Sequence, residues 1–180
     1  MVFISWESAC IFFLSYVVGA IPCGAWISRL HGVNILQSGS GSSGATNVKR
    51  EVGKAAGNLV FCCDALKGFL VAILGRTAPP VEGYHWRQLA MICLLLAMFG
   101  HCFSIFLKFR GGKGMAVTIG GLLFLMPNVL FVGMLTWAAV FFSTRFVSLA
   151  SICCCFIMPF CTYLFAYDCR TFFLTFFLCA

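Results

Sequence analysis

Two long runs of this chain, residues 89–107 and 115–142, contain no Asp, Glu, Lys or Arg. Soluble helices of this length carry a polar face that repeats every 3.6 residues, and these runs show almost none. Over the whole sequence, 62% of the 180 residues are hydrophobic and 9% are charged, too few to cover a soluble globule. We therefore predict an integral membrane protein. Its spans are predicted to be helices, because the alternation typical of a membrane β-barrel is missing.

Apolar segments and the breaks between them predict where the helices lie. The predicted spans are 2–22, 55–75, 89–107 and 146–167. The run at 115–142 carries Pro127 near its middle, so it forms either one long kinked helix or two short ones. An apolar tail follows the turn at 168–170 and is too short to cross a bilayer by itself. The residues alone leave the count open between five and seven spans.

Positive charge is unevenly distributed between the loops. The segments 23–54 and 108–114 hold seven of the twelve Lys and Arg residues, whereas the turn between the second and third spans holds Arg76 and Arg87. By the positive-inside rule, the two segments face the cytoplasm and the N-terminus faces outside. Two cytoplasmic loops can therefore meet over a single site.

Both of these loops are rich in glycine. The first contains a polar insert of Ser, Gly, Ala, Thr and Asn at 38–47, followed by Lys49 and Arg50, and the second contains a glycine-lysine run at 111–114. Backbone N–H groups and hydroxyls in such loops can converge on an anion, to which nearby cations add charge. The pattern predicts an anion site, with phosphate as the natural ligand. The alternative is a flexible loop whose cations merely obey the positive-inside rule.

Two partial matches to cofactor-binding motifs are excluded by the sequence around them. Residues 39–44 match G-x-G-x-x-G, but no strand precedes them and no βαβ unit can form here. Gly112-Lys113 looks like the end of a P-loop, yet Gly114 occupies the Ser/Thr position. The twelve cysteines include no C-x-x-C pair, and no spacing typical of metal ligands occurs. We expect no cofactor, no metal and no nucleic-acid partner.

Several short motifs follow one another along the chain. They are Ser38-Gly39-Ser40-Gly41, Gly44-Ala45-Thr46-Asn47 with Arg50, Gly53-Lys54, Asp64-x-x-Lys67-Gly68, Gly100-His101-x-Phe103, the loop from Lys108 to Gly114, and Thr144-Arg145-x-Val147-Ser148-Leu149-Ala150-Ser151. In this order they resemble the bacterial acyl-phosphate-dependent glycerol-3-phosphate acyltransferase family, membrane enzymes that make lysophosphatidic acid. The resemblance covers most of the chain. Its motifs are highly specific together, although each alone is weak.

The resemblance implies a fold. It is an all-α, polytopic membrane bundle of about seven transmembrane helices, in a single domain covering 1–180 and with the N-terminus outside. The run at 115–142 is then split at Pro127. The protein is expected in a bacterial inner membrane with its active site facing the cytoplasm. The cytoplasmic loops implied are about 23–54, 108–114 and 143–148.

The resemblance also implies a reaction. An acyl group passes from acyl phosphate to the sn-1 hydroxyl of glycerol 3-phosphate, giving lysophosphatidic acid for phospholipid biosynthesis. Because an acyl phosphate is a mixed anhydride with a good leaving group, the hydroxyl can attack it directly, without a covalent acyl-enzyme. The expected partners are the two substrates, membrane lipids and the enzyme that forms the acyl phosphate.

Site residues are carried over motif by motif. Catalytic roles are expected for Ser38, Arg50, His101 and Lys113. Substrate binding is expected for Gly39, Ser40, Gly41, Gly44, Thr46, Asn47, Lys67, Lys108, Gly111, Gly112, Gly114, Arg145 and Ser148. Cations, hydroxyls and the Asn47 amide are expected to contact phosphate, while the glycines let the backbone approach closely.

Three residues inside the apolar spans leave alternatives open. His101 lies seven residues before Lys108 and is expected on about the same helix face, as a base, a phosphate ligand or a packing histidine. A phosphate oxygen of a substrate is the favoured proton acceptor. Asp64 and Lys67 have the spacing of an intrahelical pair, which either neutralises the helix for insertion or serves the site.

The chain departs from the family pattern at three places. Ser42 stands where Asn is usual, and Ser104 stands where Pro is usual. A third family motif, with a His, an Asn and basic residues near a Glu, does not occur before Ala180. A truncated chain, a dispensable motif and a catalytically impaired protein are all compatible with that. Two further functions stand beside the enzyme. One is an anion channel or transporter in which the same loops form a binding gate. The other, suggested by the missing motif, is a non-catalytic membrane partner of lipid-synthesis enzymes.

Overall fold

The computed structural model describes residues 5–165 and 167–179, and every regular element in this part of the chain is helical. The α-helices are α1 (Trp6–Ala20), α2 (Cys23–Leu30), α3 (Ala45–Glu51), α4 (Lys54–Arg76), α5 (Trp86–Cys102), α6 (Met115–Leu125), α7 (Pro127–Thr144), α8 (Val147–Leu164) and α9 (Cys169–Cys179). A short 3-10 turn, Ile105–Leu107, follows α5. The predicted all-helical fold is confirmed.

Long apolar helices dominate the fold. The segments long and apolar enough to cross a membrane are Trp6–Leu30, Lys54–Arg76, Trp86–Leu107 and Pro127–Thr144. Shorter apolar helices are Met115–Leu125, Leu149–Leu164 and Cys169–Leu178. The chain is thus built as a membrane bundle. Length and composition support four spans, so the count of seven and the outside N-terminus stay predictions.

A proline divides the apolar run at 115–142. Helix α6 ends at Leu125, and Met126 leaves the helical region with a φ of −148°. Pro127 then occupies the first position of α7, where its missing N–H costs nothing and its fixed φ suits a helix. The division into two helices, rather than one kinked helix, is confirmed, although α7 with its 18 residues is long enough to cross a membrane.

Glycines let the helices of the bundle approach backbone to backbone. A Cβ at Gly68 of α4 would lie 1.9 Å from the carbonyl oxygen of Val117 in α6, and one at Gly120 would lie 1.8 Å from the carbonyl oxygen of Ala65. Helices α1 and α5 approach in the same way at Gly100. Small residues drive helix association in membranes, because lipid offers no hydrophobic force between helices. Helix α4 therefore packs directly against the backbone of α6, and α1 against that of α5.

The polar parts of the chain lie at the two ends of α4. Its first residue, Lys54, follows directly after α3 and the first glycine-rich loop. Its last residue, Arg76, packs against Trp86 at the start of α5. A 23-residue helix is about 35 Å long, close to the thickness of a bilayer core. The two polar ends are therefore separated by the membrane.

Three predicted boundaries differ from those of the structure. The span predicted at 89–107 is α-helical up to Cys102, beyond which the chain turns. The loop predicted at 143–148 shrinks to the two residues between α7 and α8. The loop predicted at 23–54 contains two helices, α2 and α3. These short helices carry polar residues, so hydropathy alone did not distinguish them from loop.

Asp168 joins two helices at the Arg76 end of the bundle. Its carboxylate accepts hydrogen bonds from the side chains of Gln88 and Thr171, and from the backbone N–H of Thr171 at 3.3 Å. Burial alone would raise the pKa of Asp168, but these hydrogen bonds outweigh it and hold the pKa below the ordinary Asp value. The carboxylate thus caps α9 and ties it to α5.

Replacing Asp168 with Asn should remove an acid-sensitive part of the stability. Because the folded-state pKa is lowered, the charged carboxylate stabilises the fold at neutral pH, and this contribution is lost as the pH falls through the lowered pKa. The difference in thermal unfolding midpoint between wild type and Asp168→Asn, measured in detergent, should be largest near neutral pH and shrink as the pH falls below the ordinary pKa of Asp. Glu82→Gln, at an exposed carboxylate, is the control and should show no such trend. A difference in unfolding midpoint between wild type and Asp168→Asn that does not change with pH would contradict the prediction.

Candidate functional site

The first glycine-rich loop, residues 31–44, is shaped by one amide side chain. Asn47 lies in the first turn of α3 and is 3% exposed. Its Nδ2 donates to the carbonyl oxygens of Ser38 at 3.0 Å and Ser42 at 2.9 Å, and its Oδ1 accepts from the backbone N–H of Ser40 at 3.0 Å. The loop is thereby closed into a ring around the amide.

The Asn47 side chain therefore has a different role from the one expected. We expected it to contact phosphate, but its amide hydrogens point at loop carbonyls, so it shapes the loop instead. The exposed residues Ser40 and Thr46 carry hydroxyls that bond to no other described residue and are free to reach a ligand. Ser38 Oγ donates to the carbonyl oxygen of Asn34 at 3.1 Å and keeps its lone pairs.

The second glycine-rich loop, residues 103–114, is tied to the bundle on both sides. Ser104 Oγ donates to the carbonyl oxygen of Ala20 at 2.5 Å, which anchors the loop to the end of α1. The N–H of Gly112 donates to the carbonyl oxygen of His101 at 3.2 Å, which anchors it to the end of α5. The loop therefore has little freedom at its base.

Lys108 lies on a turn rather than on the α5 surface. Its φ is 53°, in the left-handed region, where the chain reverses direction after the 3-10 turn. The expectation that Lys108 shares a helix face with His101 is wrong, because α5 ends at Cys102. A seven-residue spacing predicts a shared face only within a continuous helix.

The two glycine-rich loops meet, as their charge predicts. The backbone N–H of Ser43 donates to the carbonyl oxygen of Gly111 at 3.4 Å, and Ser42 Oγ donates to the same oxygen at 3.5 Å. A Cβ at Gly112 would lie 2.2 Å from Nε2 of His101, so only glycine fits this position. One surface therefore carries backbone groups from both loops and hydroxyl groups from the first loop.

Buried charges lie beneath this surface. Asp64 is 1% exposed and Lys67 is 6% exposed, and their Oδ1 and Nζ atoms are 2.6 Å apart. Lys67 Nζ also donates to the carbonyl oxygen of Ile21 at 2.7 Å. His101 Nδ1 lies 3.7 Å from the same Asp64 oxygen. The predicted intrahelical pair is thus present, and it links α4 to α1, to α5 and, through Gly112, to the second loop.

Cations on the segments that form the loop junction are not paired with any described carboxylate. The exposed ones are Lys49, Arg50, Lys108, Arg110 and Lys113. Within residues 5–165 and 167–179, none of them forms an ion pair with a carboxylate. Cations without described ion pairs, free hydroxyls and glycine backbone, all on the segments that form the junction, favour binding of an anion such as phosphate.

Two predicted residues are not brought to the junction by any described contact. Arg145 ends α7 with a φ of 61°, and its N–H donates to the carbonyl oxygen of Phe141 in the same helix. Ser148 belongs to α8, but its side chain lies outside the described residues. The structure therefore gives these two residues no role, and their expected substrate contacts stay predictions.

Two residues that shape the site were not among those predicted for it. Ser42 bonds across the junction, and Ser104 anchors the second loop. Each had stood out in the sequence as a departure from a family pattern, which was the available signal. Asp64 is a carboxylate inside an apolar span, which is itself a signal of function.

Known proteins similar to this chain agree on one family. A model of the family described as glycerol-3-phosphate acyltransferase matches residues 9–180. Glycerol-3-phosphate acyltransferase 1 of Deinococcus radiodurans is 45% identical over 139 residues, which cover 77% of this chain and 68% of that protein. Glycerol-3-phosphate acyltransferase 2 of Moorella thermoacetica is 41% identical over 149 residues, covering 82% and 73%.

Solved structures give the same result. The chain is similar to the crystal structure of PlsY (YgiH), an integral membrane glycerol 3-phosphate acyltransferase, in its glycerol 3-phosphate form. The TM-score is 0.83 at 31% identity, covering 96% of this chain and 84% of that chain. The lysophosphatidic acid form of the same protein gives a TM-score of 0.82 with the same identity and coverage.

Asn47→Asp should loosen the first loop. The substitution replaces a donor to two carbonyl oxygens with an acceptor that repels them, a buried loss of about 1–3 kcal/mol. We expect a lower thermal unfolding midpoint in detergent and faster amide hydrogen exchange across residues 38–44. Asn58→Asp, the same change at an exposed position of α4, is the matched control and should change neither measurement.

Gly112→Ala should push the second loop away from His101. The added methyl group cannot be accommodated 2.2 Å from the imidazole, so the loop or the ring must move. Faster amide exchange across residues 108–114 is the expected result. Gly44→Ala, whose Cβ would find its nearest atoms at 3.4 and 3.8 Å, should be tolerated. Equal exchange in the two variants would show that the glycine contact does not hold the loop.

Proposed function

The chain belongs to the glycerol-3-phosphate acyltransferase family, and we propose that it takes its acyl group from acyl phosphate and delivers it to the sn-1 hydroxyl of glycerol 3-phosphate. The protein is an acyltransferase that acts on glycerol 3-phosphate. The donor and the acylated position are the new parts of the proposal. An acyl phosphate donor accounts for the positive charge of the site, because both substrates then carry a phosphate.

The observation that carries the proposal is the junction of the two loops. Ser43 and Gly111 join them by a hydrogen bond, and five exposed cations without ion partners among the described residues lie on the segments beside it. Two phosphates repel each other, so a site that brings them together needs excess positive charge. An acyl phosphate donor is consistent with this excess of positive charge.

The reaction follows from the chemistry of the mixed anhydride. The sn-1 oxygen of glycerol 3-phosphate attacks the carbonyl carbon of the acyl phosphate, and a new C–O ester bond forms. The bond between that carbon and the phosphate oxygen breaks, and inorganic phosphate leaves. The hydroxyl proton passes to a phosphate oxygen. No acyl-enzyme is needed, so the protein contributes by positioning the substrates and by stabilising negative charge.

Residues of the junction divide this work. Arg50 and Lys113, both exposed and without ion partners among the described residues, neutralise the two phosphates, and the Ser40 and Thr46 hydroxyls donate to phosphate oxygens. Ser38 already donates to a backbone carbonyl, so its lone pairs can accept from the glycerol hydroxyl and orient it.

His101 and Lys67 are positioning residues in this proposal. His101 is 8% exposed and lies behind Gly112, while Lys67 is engaged by Asp64 and a carbonyl oxygen. Both side chains are buried beneath the loop surface rather than exposed on it. This burial supports a substrate phosphate as the proton acceptor.

The charge distribution also supports a location. With seven Lys and Arg residues in the segments 23–54 and 108–114, we place the junction on the cytoplasmic side of a bacterial inner membrane. An acyl phosphate is reactive towards water, so direct supply by the enzyme that forms it would limit loss of the donor.

Acyl transfer by the purified chain in lipid vesicles tests the donor and the position. With labelled glycerol 3-phosphate, acyl phosphate should give 1-acyl lysophosphatidic acid and inorganic phosphate, identified by NMR of the product. Acyl-coenzyme A and the acylated form of acyl carrier protein should give no product. Product from either of these instead of acyl phosphate would overturn the donor, and a 2-acyl product would overturn the position.

Arg50→Ala and Lys113→Ala should each lower kcat/KM by about 100-fold or more, because each removes a charge that stabilises the transition state. Arg29→Ala removes an exposed cation from α2 and is the matched control, expected within about twofold of wild type. Unfolding midpoints should be equal in all three variants. Full activity in Arg50→Ala or Lys113→Ala would show that the loop junction is not the active site.

A further inference from the structure

The end of the bundle farthest from the loop junction carries a second group of cations. The guanidinium carbon of Arg76, at the end of α4, lies 5.2 Å from the centre of the Trp86 ring. That of Arg87 lies 4.9 Å from the same ring and 5.6 Å from the Tyr167 ring. Two guanidinium groups thus share one indole, which holds both by cation–π attraction despite their mutual repulsion.

No described carboxylate neutralises these two arginines. Asp168 is engaged by Gln88 and Thr171, and Glu82 forms no ion pair within the part of the chain that the structure describes. The Nε atom of Arg87 is buried and has no hydrogen-bond partner there. Because Arg76 is exposed and Arg87 is partly exposed, their other guanidinium N–H groups can be satisfied by an anion from outside the chain.

The position of the group identifies that anion. Helix α4 ends here, α5 begins here, and α9 begins nearby at Cys169. Tyr84, Trp86 and Tyr167 are the residue types that line the boundary between the lipid tails and water. The anions concentrated at that boundary are lipid phosphates. Arg76 lies twelve residues, about 18 Å, further along α4 than Asp64, which lies beneath the loop junction.

We propose that Arg76 and Arg87, held on Trp86, bind the phosphate of an anionic phospholipid at the membrane face opposite the glycine-rich loops. Guanidinium groups bind phosphate oxygens through paired N–H donors, and the rings preorganise them for it. Arg170 borders the site, where it donates to the carbonyl oxygen of Gly83 and lies over the Tyr84 ring. A zwitterionic headgroup would bring a further cation to this group, so an anionic one is preferred.

Lipid retention by the full chain tests the site. Protein purified in detergent and freed of lipid is titrated with phosphatidylglycerol or phosphatidylcholine, and one-to-one adducts are counted by native mass spectrometry. Wild type should bind phosphatidylglycerol more tightly, and Arg76→Gln/Arg87→Gln should weaken that binding at least about fivefold, to the level of phosphatidylcholine. The matched control Arg29→Gln/Lys54→Gln, which removes the same charge at the other end, should stay within about twofold of wild type.

Three results would overturn the proposal. They are equal binding of the two lipids by wild type, equal losses in the two double variants, and displacement of phosphatidylglycerol by millimolar inorganic phosphate, which would indicate a site for free phosphate. Unfolding midpoints without lipid verify that the variants fold. If the double variant does not fold, Arg76→Gln alone serves, because Arg76 is exposed and makes no described hydrogen bond. Unchanged binding of phosphatidylglycerol by that variant would contradict the site as well.

Discussion

The ion pair between Asp64 and Lys67 connects the membrane bundle to the surface where the two loops meet. Lys67 holds the end of α1 through Ile21, and Asp64 faces His101 at the end of α5. His101 in turn holds Gly112, one residue beyond the carbonyl that accepts from Ser43. Charges inside a bilayer are costly when unpaired, so breaking this pair would affect three helices and both loops together.

Much of the fold could be predicted because membranes impose simple rules. Hydropathy located the apolar helices, Pro127 divided one run into two, and the Lys and Arg counts put both glycine-rich loops at one end. The seventeen charged residues are few enough that their positions carry most of this information. The intrahelical pair was also predictable, since two opposite charges three residues apart in an apolar span have no better partner.

What the sequence did not predict depends on contacts between distant segments. The role of Asn47 arises from three loop groups that a linear reading treats as independent. Ser104 donates a hydrogen bond to the carbonyl oxygen of Ala20, 84 residues earlier in the chain, which hydropathy does not record. The end of α5 at Cys102 was missed because the apolar pattern continues through Leu107, although the backbone no longer does. Hydropathy records burial in lipid and not backbone direction.

The close approach of α4 and α6 has a consequence for how this protein can vary. At Gly68 and Gly120 each helix backbone occupies the space where a side chain of the other would begin, so even alanine would force the axes apart. Such positions do no chemistry, yet they tolerate less change than exposed residues of the same two helices, such as Leu66 and Leu123. Sequence drift should therefore be fastest on the lipid-facing surface and slowest along this internal seam.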